Sequence, residues 1–260
     1  MQGLSIHNLS AGYPKRQVIT DLSIDSLPCG KVTVLLGPNG CGKSTLLRAL
    51  AGLNRASGQL CLNGSELMSQ PFSRRAAQVV YLPQSLPDNV HLHVLESIMV
   101  AAQAVNNHWR KVSEAEVMTL LGELGIAHLG LCYLDQLSGG QKQLVGLAQS
   151  LIRHPALLLL DEPLSALDLN YQYHVMELVI QETRRRNMVT VLVLHDTNLA
   201  LRYGEYVVML NHGEVVAQGE AAAVITPRRL ASVYGVCGRI ERCSQGIPVA
   251  SIDGLVTRPL

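Results

Sequence analysis

The stretch Val32-Thr33-Val34-Leu35-Leu36-Gly37-Pro38-Asn39-Gly40-Cys41-Gly42-Lys43-Ser44 decides how this chain is read. Val32 to Leu36 is a short continuous β-type run, the pattern of a strand buried on both faces. Gly37 to Ser44 fits Gly-x-x-x-x-Gly-Lys-Ser at every position, and a helical pattern follows from Lys43 to Leu53. Strand, glycine loop and helix in that order are the context in which this octapeptide cradles phosphate. The glycines let the backbone fold tightly and turn its N–H groups toward an anion. The helix N-terminus adds partial positive charge. Lys43 is expected to neutralise the β- and γ-phosphates, and the Ser44 hydroxyl to ligate Mg²⁺. The loop thus points to a nucleoside triphosphate. No Asn-Lys-x-Asp guanine reader occurs, which lowers the GTP option.

Composition sets the outer limits. The chain has 260 residues, 48% of them apolar, enough to bury a core without disulfide or metal staples. Lys plus Arg total 21 against 20 Asp plus Glu, so no global basic field exists to grip nucleic acid. Aromatics are 4%, with one Phe (Phe72) and one Trp (Trp109), too few for base-stacking platforms. Mean hydropathy is +0.20, yet the apolar runs, Ala156 to Leu160 and Val189 to Leu194 the strongest, fall far short of a membrane span. Met1 to Ser10 shows no signal-peptide pattern. The six cysteines (29, 41, 61, 132, 237, 243) have no CxxC spacing and read as reduced thiols. Cys41, at a helix N-terminus, is expected to favour its thiolate.

Leu4-Ser5-Ile6 and Val18 to Leu27 have strand character, as do Gln59 to Leu62 and Val79 to Leu82. Asn63-Gly64 is a strong hairpin turn, because both residues tolerate positive φ. From about Pro87 the pattern turns helical: Val94 to Val105, then Glu114 to Leu124 opened by a Ser113/Glu116 capping box, then Ser138 to about Ile152. Strands return at Leu157 to Leu160, Val189 to Leu194 and Tyr206 to Leu210. Helices lie between them at Leu169 to Arg185 and Asp196 to Tyr203. Asn211-His212-Gly213 reads as a turn into Glu214 to Gln218. The tail from Pro227 reads as a short helix followed by Gly/Pro-rich chain. This order predicts an α/β protein: a parallel-sheet core, an antiparallel β subdomain near the N-terminus and an inserted helical subdomain. Residues 1–86 and 153–225 would form the core with its β subdomain. Residues 87–152 would be the helical subdomain, and 226–260 a C-terminal extension.

Leu157 to Leu160 ends in Asp161-Glu162. Acids at the carboxyl end of a parallel strand face the ligand crevice. Asp161 is placed to hold Mg²⁺, and Glu162 is the candidate general base for an attacking water. Leu137-Ser138-Gly139-Gly140-Gln141 opens a helix with Ser138 as N-cap, a second helix end suited to phosphate.

Together these residues resemble the nucleotide-binding subunit of an ATP-binding cassette (ABC) transporter over nearly the whole chain. The resemblance implies a P-loop NTPase (RecA-like) core and an ATPase. It adds Tyr13 as the aromatic that stacks on adenine, Gln84 as the Q-loop glutamine, Ser165-Ala166-Leu167-Asp168 as the D-loop, and His195 as the switch histidine. The implied ATP-binding set is Tyr13 with Gly37, Pro38, Asn39, Gly40, Cys41, Gly42, Lys43, Ser44 and Thr45. Glu162, His195, Gln84 and Lys43 are the catalytic group, with Ser44, Gln84 and Asp161 around Mg²⁺. The signature Leu137 to Gln141 would touch the ATP of a second copy, in a head-to-tail homodimer. The helical subdomain would dock a multi-span permease at the cytoplasmic face of the membrane.

Gly37 to Leu53, His195 to Tyr203, and Val233-Tyr234-Gly235-Val236 with Gly246-Ile247-Pro248 resemble the branch that imports iron-siderophores, haem or cobalamin. The segment with Trp109 fits it too. That branch implies an extracytoplasmic substrate-binding protein and no nucleic-acid partner. Lys142-Gln143-Leu144-Val145-Gly146 and Leu164-Ser165-Ala166-Leu167-Asp168 depart from its usual wording. Two alternatives stay open here: an exporter ATPase with separate membrane subunits, and a soluble cassette protein acting on DNA or ribosomes. Against the latter, the chain has one cassette and no sustained heptads.

Overall fold

The computed structural model describes residues 3–85, 90–103 and 112–256. Strands β1 (Leu4–Tyr13) and β2 (Arg16–Leu27) form an antiparallel hairpin, and β3 (Val32–Leu36) follows. Helix α1 (Lys43–Ala51) leads to β4 (Ala56–Leu62) and β5 (Ser65–Glu66), which complete a four-stranded antiparallel sheet in the order β2-β1-β4-β5. Next come α2 (Phe72–Gln78), β6 (Val79–Leu82) and three helices, α3 (Val94–Gln103), α4 (Glu114–Glu123) and α5 (Gly139–Leu151). The second half alternates β7 (Leu157–Leu160), α6 (Leu169–Arg186), β8 (Val189–Val193), α7 (Thr197–Tyr203), β9 (Tyr206–Asn211) and β10 (Glu214–Gly219). The chain closes with α8 (Ala221–Val224), α9 (Pro227–Tyr234), β11 (Val236–Arg242) and β12 (Pro248–Leu255).

The central sheet runs β10-β9-β3-β8-β7-β6, parallel except for β10 at its edge. Its inner strands β3, β8 and β7 are buried at every position because both faces are covered, whereas the edge strand β10 alternates exposed and half-buried residues. Leu157 and Leu159 of β7 pack with α1 and the antiparallel sheet. Leu158 and Leu160 pack with residues of α3 to α7 on the other side. Alternation of side chains along a strand divides one sequence between two cores.

Local chemistry explains the element ends. Gly52 turns left-handed after α1 and returns its N–H to Ala49 and Arg48. Ser138 and Gln141 make a reciprocal capping box on α5, and Asp168 caps α6 through the Tyr171 N–H. Ser113 likewise accepts from the Glu116 N–H at the start of α4. Asn63 and Gly64 both take positive φ (51° and 80°), as the hairpin turn demands.

The tail departs from the sequence expectation. After α9 it forms the β11–β12 hairpin rather than irregular chain. β11 alternates half-buried and exposed residues and β12 is exposed toward its end, but Gly238 and Gly254 inside the strands and the charged Arg239, Glu241 and Arg242 weaken the strand pattern in the sequence. Tertiary contact anchors them: Asn198 of α7 accepts from the Ala250 N–H (2.7 Å) and donates to its carbonyl (3.4 Å). Residues 104 and 105 of the expected α3, and Trp109, lie outside the described residues.

Helix α2 was also not foreseen, and it supplies a buried cation. Arg75 is 8% exposed and donates from Nη2 to the carbonyls of Ala49 and Leu50, both at 2.7 Å. It therefore satisfies the C-terminal carbonyls of α1, the helix that carries Lys43. Burial pulls its guanidinium below the ordinary value, with Glu66 opposing. Arg75→Met should keep the volume but orphan the Leu50 carbonyl and leave that of Ala49 only its Gly52 N–H, costing about 1.5–3 kcal/mol in urea unfolding at neutral pH. An unchanged urea midpoint would exclude this role.

Candidate active site

The carboxyl ends of β3, β6 and β7, and the chain just beyond β8, emerge at one edge of the sheet. There they hold the phosphate loop, Gln84, Asp161-Glu162 and His195. Gly37 sits at φ 147°, and a Cβ on it would lie 2.3 Å from the Leu210 carbonyl oxygen. Only glycine lets the loop leave β3 beside β9. Lys43 is buried, and its Nζ donates to the Gly37 carbonyl at 2.7 Å and to Pro38 at 3.0 Å. The ammonium is thus folded back over the loop that precedes it.

A cleft of about 490 Å³ is lined by Tyr13, Arg16, Val18, Asn39, Gly40, Gly42, Lys43, Ser44, Thr45, Gln84, Glu162 and His195. Residues more than 180 positions apart therefore share one cavity. Tyr13 ends β1 and is 47% exposed, with an open ring. It also borders a second hollow, of about 740 Å³, between the β1–β2 turn and residues 53–57.

Glu162 is the junction of the site. Its Oε2 accepts from Gln84 Nε2 at 2.7 Å, and its Oε1 lies 2.5 Å from His195 Nε2. One carboxylate thus gathers two of the other predicted site residues. Its backbone is left-handed at φ 51°, an uncommon state for a non-glycine residue that is often found at functional sites.

Asp161 is buried and receives two hydrogen bonds. Ser44 Oγ donates to Oδ1 at 3.0 Å, and the Tyr81 hydroxyl donates to Oδ2 at 2.9 Å. Burial raises the carboxyl above the usual range. The bonds from Tyr81 and Ser44 pull it back, Glu162 pushes it up, and Lys43 lowers it slightly. Burial, with the Asp161 charge behind it, drives the Tyr81 phenol far upward, so it remains a donor. Among the described residues no cluster of three or more His, Cys, Asp or Glu could hold a metal. One carboxylate and one hydroxyl side by side fit Mg²⁺, which favours oxygen ligands and keeps waters and substrate phosphates in its shell.

The signature residues do not join this cleft. Ser138, Gly139, Gly140 and Gln141 line a separate cavity of about 530 Å³ with Ala166, Leu167 and Asp168 of the expected D-loop. Leu137 is buried beneath the helix end, and Ser165 Oγ donates to the Glu162 carbonyl. Sequence reasoning missed Arg16, Val18 and Tyr81. Tyr81 alternates correctly on β6, but nothing in that spacing announces a bond to a residue 80 positions on.

Cys41 corrects an expectation. It is 5% exposed, and burial raises its thiol more than Lys43 and the local N–H groups lower it. Desolvation outweighs the helix end. Cys243 is exposed, and the N–H groups of Gln245 and Ile247 lower its thiol. Peptide mapping after brief iodoacetamide treatment at pH 7 should find Cys243 modified first and Cys41 protected. Labelling of Cys41 ahead of Cys243 would reverse the assignment.

A strand–glycine loop–helix unit set against an acidic strand end defines a nucleoside-triphosphate-hydrolysing P-loop protein. Comparison with known proteins narrows that class. Residues 19–165 match the ABC transporter family. The chain is 34% identical to the ferric enterobactin transport ATP-binding protein FepC of Escherichia coli, over 93% of this chain and 90% of that one. It is also 34% identical to the iron(3+)-hydroxamate import ATP-binding protein FhuC of Bacillus subtilis, over 92% and 90%. A solved ABC transporter structure, described as of metal-chelate type and inward-facing, superposes with TM-score 0.79 at 27% identity and covers 98% of both chains. The chain belongs to the ABC transporter family, as an ATPase subunit.

Proposed function

We propose that this chain powers uptake of an iron-siderophore-type chelate, or of haem or cobalamin, through a separate permease. The observation that carries the ATP-hydrolysing part of this reading is the Glu162 carboxylate held between Gln84 and His195, beside the Ser44–Asp161 pair. The names of the relatives support the cargo class, because they specify ferric enterobactin transport and iron(3+)-hydroxamate import.

In this reading the triphosphate lies along Gly37 to Thr45, with adenine on Tyr13. The γ-phosphate replaces the loop carbonyls as the partner of Lys43, since a charged acceptor makes a stronger hydrogen bond than a neutral one. Ser44 and Asp161 would hold Mg²⁺, which supplies charge neutralisation to the β- and γ-oxygens. Glu162 orients and deprotonates the attacking water. His195 and Gln84 keep that carboxylate aimed and reach toward the γ-phosphate.

The exposed Ser138-Gly139 helix end would complete the site of a second copy in a head-to-tail homodimer. Two copies would sit at the cytoplasmic face of the membrane beneath a multi-span permease fed by an extracytoplasmic binding protein. No helix among the described residues is long and apolar enough to cross a membrane. Residues 1–86 and 153–225 would act as the core, 87–152 as the moving helical subdomain and 226–260 as an extension.

Glu162→Gln should bind ATP normally and hydrolyse it about 10²–10⁴-fold more slowly. Parental turnover by that variant would refute the base assignment. Lys43→Ala should lose affinity for ATP itself, read with a fluorescent nucleotide. Transport of a radiolabelled ferric siderophore by cells carrying the chain and its permease tests the cargo.

A further inference from the structure

Gln143 lies one turn inside α5, and both ends of its amide are spent on backbone. It is 6% exposed. Its Nε2 donates to the carbonyl oxygen of Glu162 at 2.8 Å, and its Oε1 accepts from the Ala166 N–H at 3.2 Å. One side chain on the signature helix thus grips the residue that bears the base and the loop that follows it.

The joint is tight on every side. The Glu162 carbonyl also receives the Ser165 N–H (3.3 Å) and Oγ (3.1 Å), which closes a turn. Gln172 of α6 donates to the Leu167 carbonyl at 2.9 Å and holds the same loop from behind. A Cβ on Gly140 would sit 2.7 Å from the Ala166 carbonyl oxygen, so the helix end has no slack against this loop. Glu162 itself is held at φ 51°. An uncommon backbone state persists only where the surroundings over-determine it.

We infer that Gln143 is a positioning residue for hydrolysis: it locks the Glu162 peptide to the signature helix, so that a shift of that helix end re-aims the base. This rests on Glu162 being the base. Gln143 touches neither the cleft nor its contents and acts through the orientation of the Glu162 backbone. A rigid helix carries the shift because Ser138, Gly140 and Gln143 share its first two turns. In the head-to-tail pair, ATP seated on Ser138 by one copy would then adjust the base of the chain that owns that signature.

Gln143→Leu keeps the volume and removes both hydrogen bonds. Gln143→Glu keeps the acceptor for Ala166 and sets an oxygen against the Glu162 carbonyl. Steady-state ATPase of the full chain is normalised to bound ATP, so that a loss of folded protein does not count. Both variants should lower kcat about 10–100-fold, the size of effect a misplacement near 1 Å produces. KM and the ATP Kd should stay within about twofold, because the nucleotide contacts are untouched. Adding Gln143→Leu to Glu162→Gln should leave the residual rate unchanged. Parental kcat in both single variants, a loss confined to Kd, or a full additional loss on the Glu162→Gln background would each overturn the inference. If Glu162→Gln itself turns over at the parental rate, the base reading fails first. If only the Gln143 variants are parental, the clip fails alone.

Discussion

Everything in the site depends on the register of the parallel strands. Leu82 pairs with Leu160, Leu160 with Leu192, and Leu35 with Val193. Parallel pairing sends all these strands out of the same edge, so the residues just beyond them meet. A one-residue slip at β7 would turn Leu158 and Leu160 to the other core and carry Asp161 away from Ser44. The sheet resists such a slip because both of its faces are packed. Burial of the four leucines of β7 and positioning of the two acids after it are one fact.

The two acids are adjacent in sequence yet differ in environment. Asp161 is buried, raised by that burial and restrained by Tyr81 and Ser44. Glu162 leans into the cleft and meets Gln84 and His195. The left-handed backbone at Glu162 breaks the strand direction between them, which lets neighbours serve different purposes. A buried carboxylate beside a hydroxyl suits a hard cation, whereas one open to the cleft suits proton transfer. The helices inserted between β6 and β7 add a third element, because Gln143 brings the signature helix onto the same peptide.

The parts legible in the sequence were those whose physics is local. The phosphate loop is contiguous, and its glycines, lysine and serine declare themselves by spacing. Strands covered on both faces appear as unbroken apolar runs, as at Leu157 to Leu160. The caps at Ser138 and Ser113 sit beside the N–H groups they serve. Tyr13, Gln84 and His195 were legible only through the family's order of motifs, since a lone aromatic, amide or imidazole carries no spacing signal. The β11–β12 hairpin was illegible because its strands are glycine-interrupted and only partly buried, and their anchor is Asn198 of another element.

By itself, then, the sequence determined a P-loop α/β cassette, its nucleotide, its acidic strand end and a second glycine-rich helix start. Only the tertiary structure decided which side chains meet. It joined Gln84 and His195 through Glu162, set Tyr81 on Asp161, put Gln143 on the Glu162 carbonyl, used Arg75 to finish α1, and buried the Cys41 thiol against the pull of a helix end. It also kept the signature out of the cleft. The reason is the same in each case. A hydrogen bond between distant residues, or the desolvation of a group by its neighbours, is a property of packing and leaves no periodic trace along the chain.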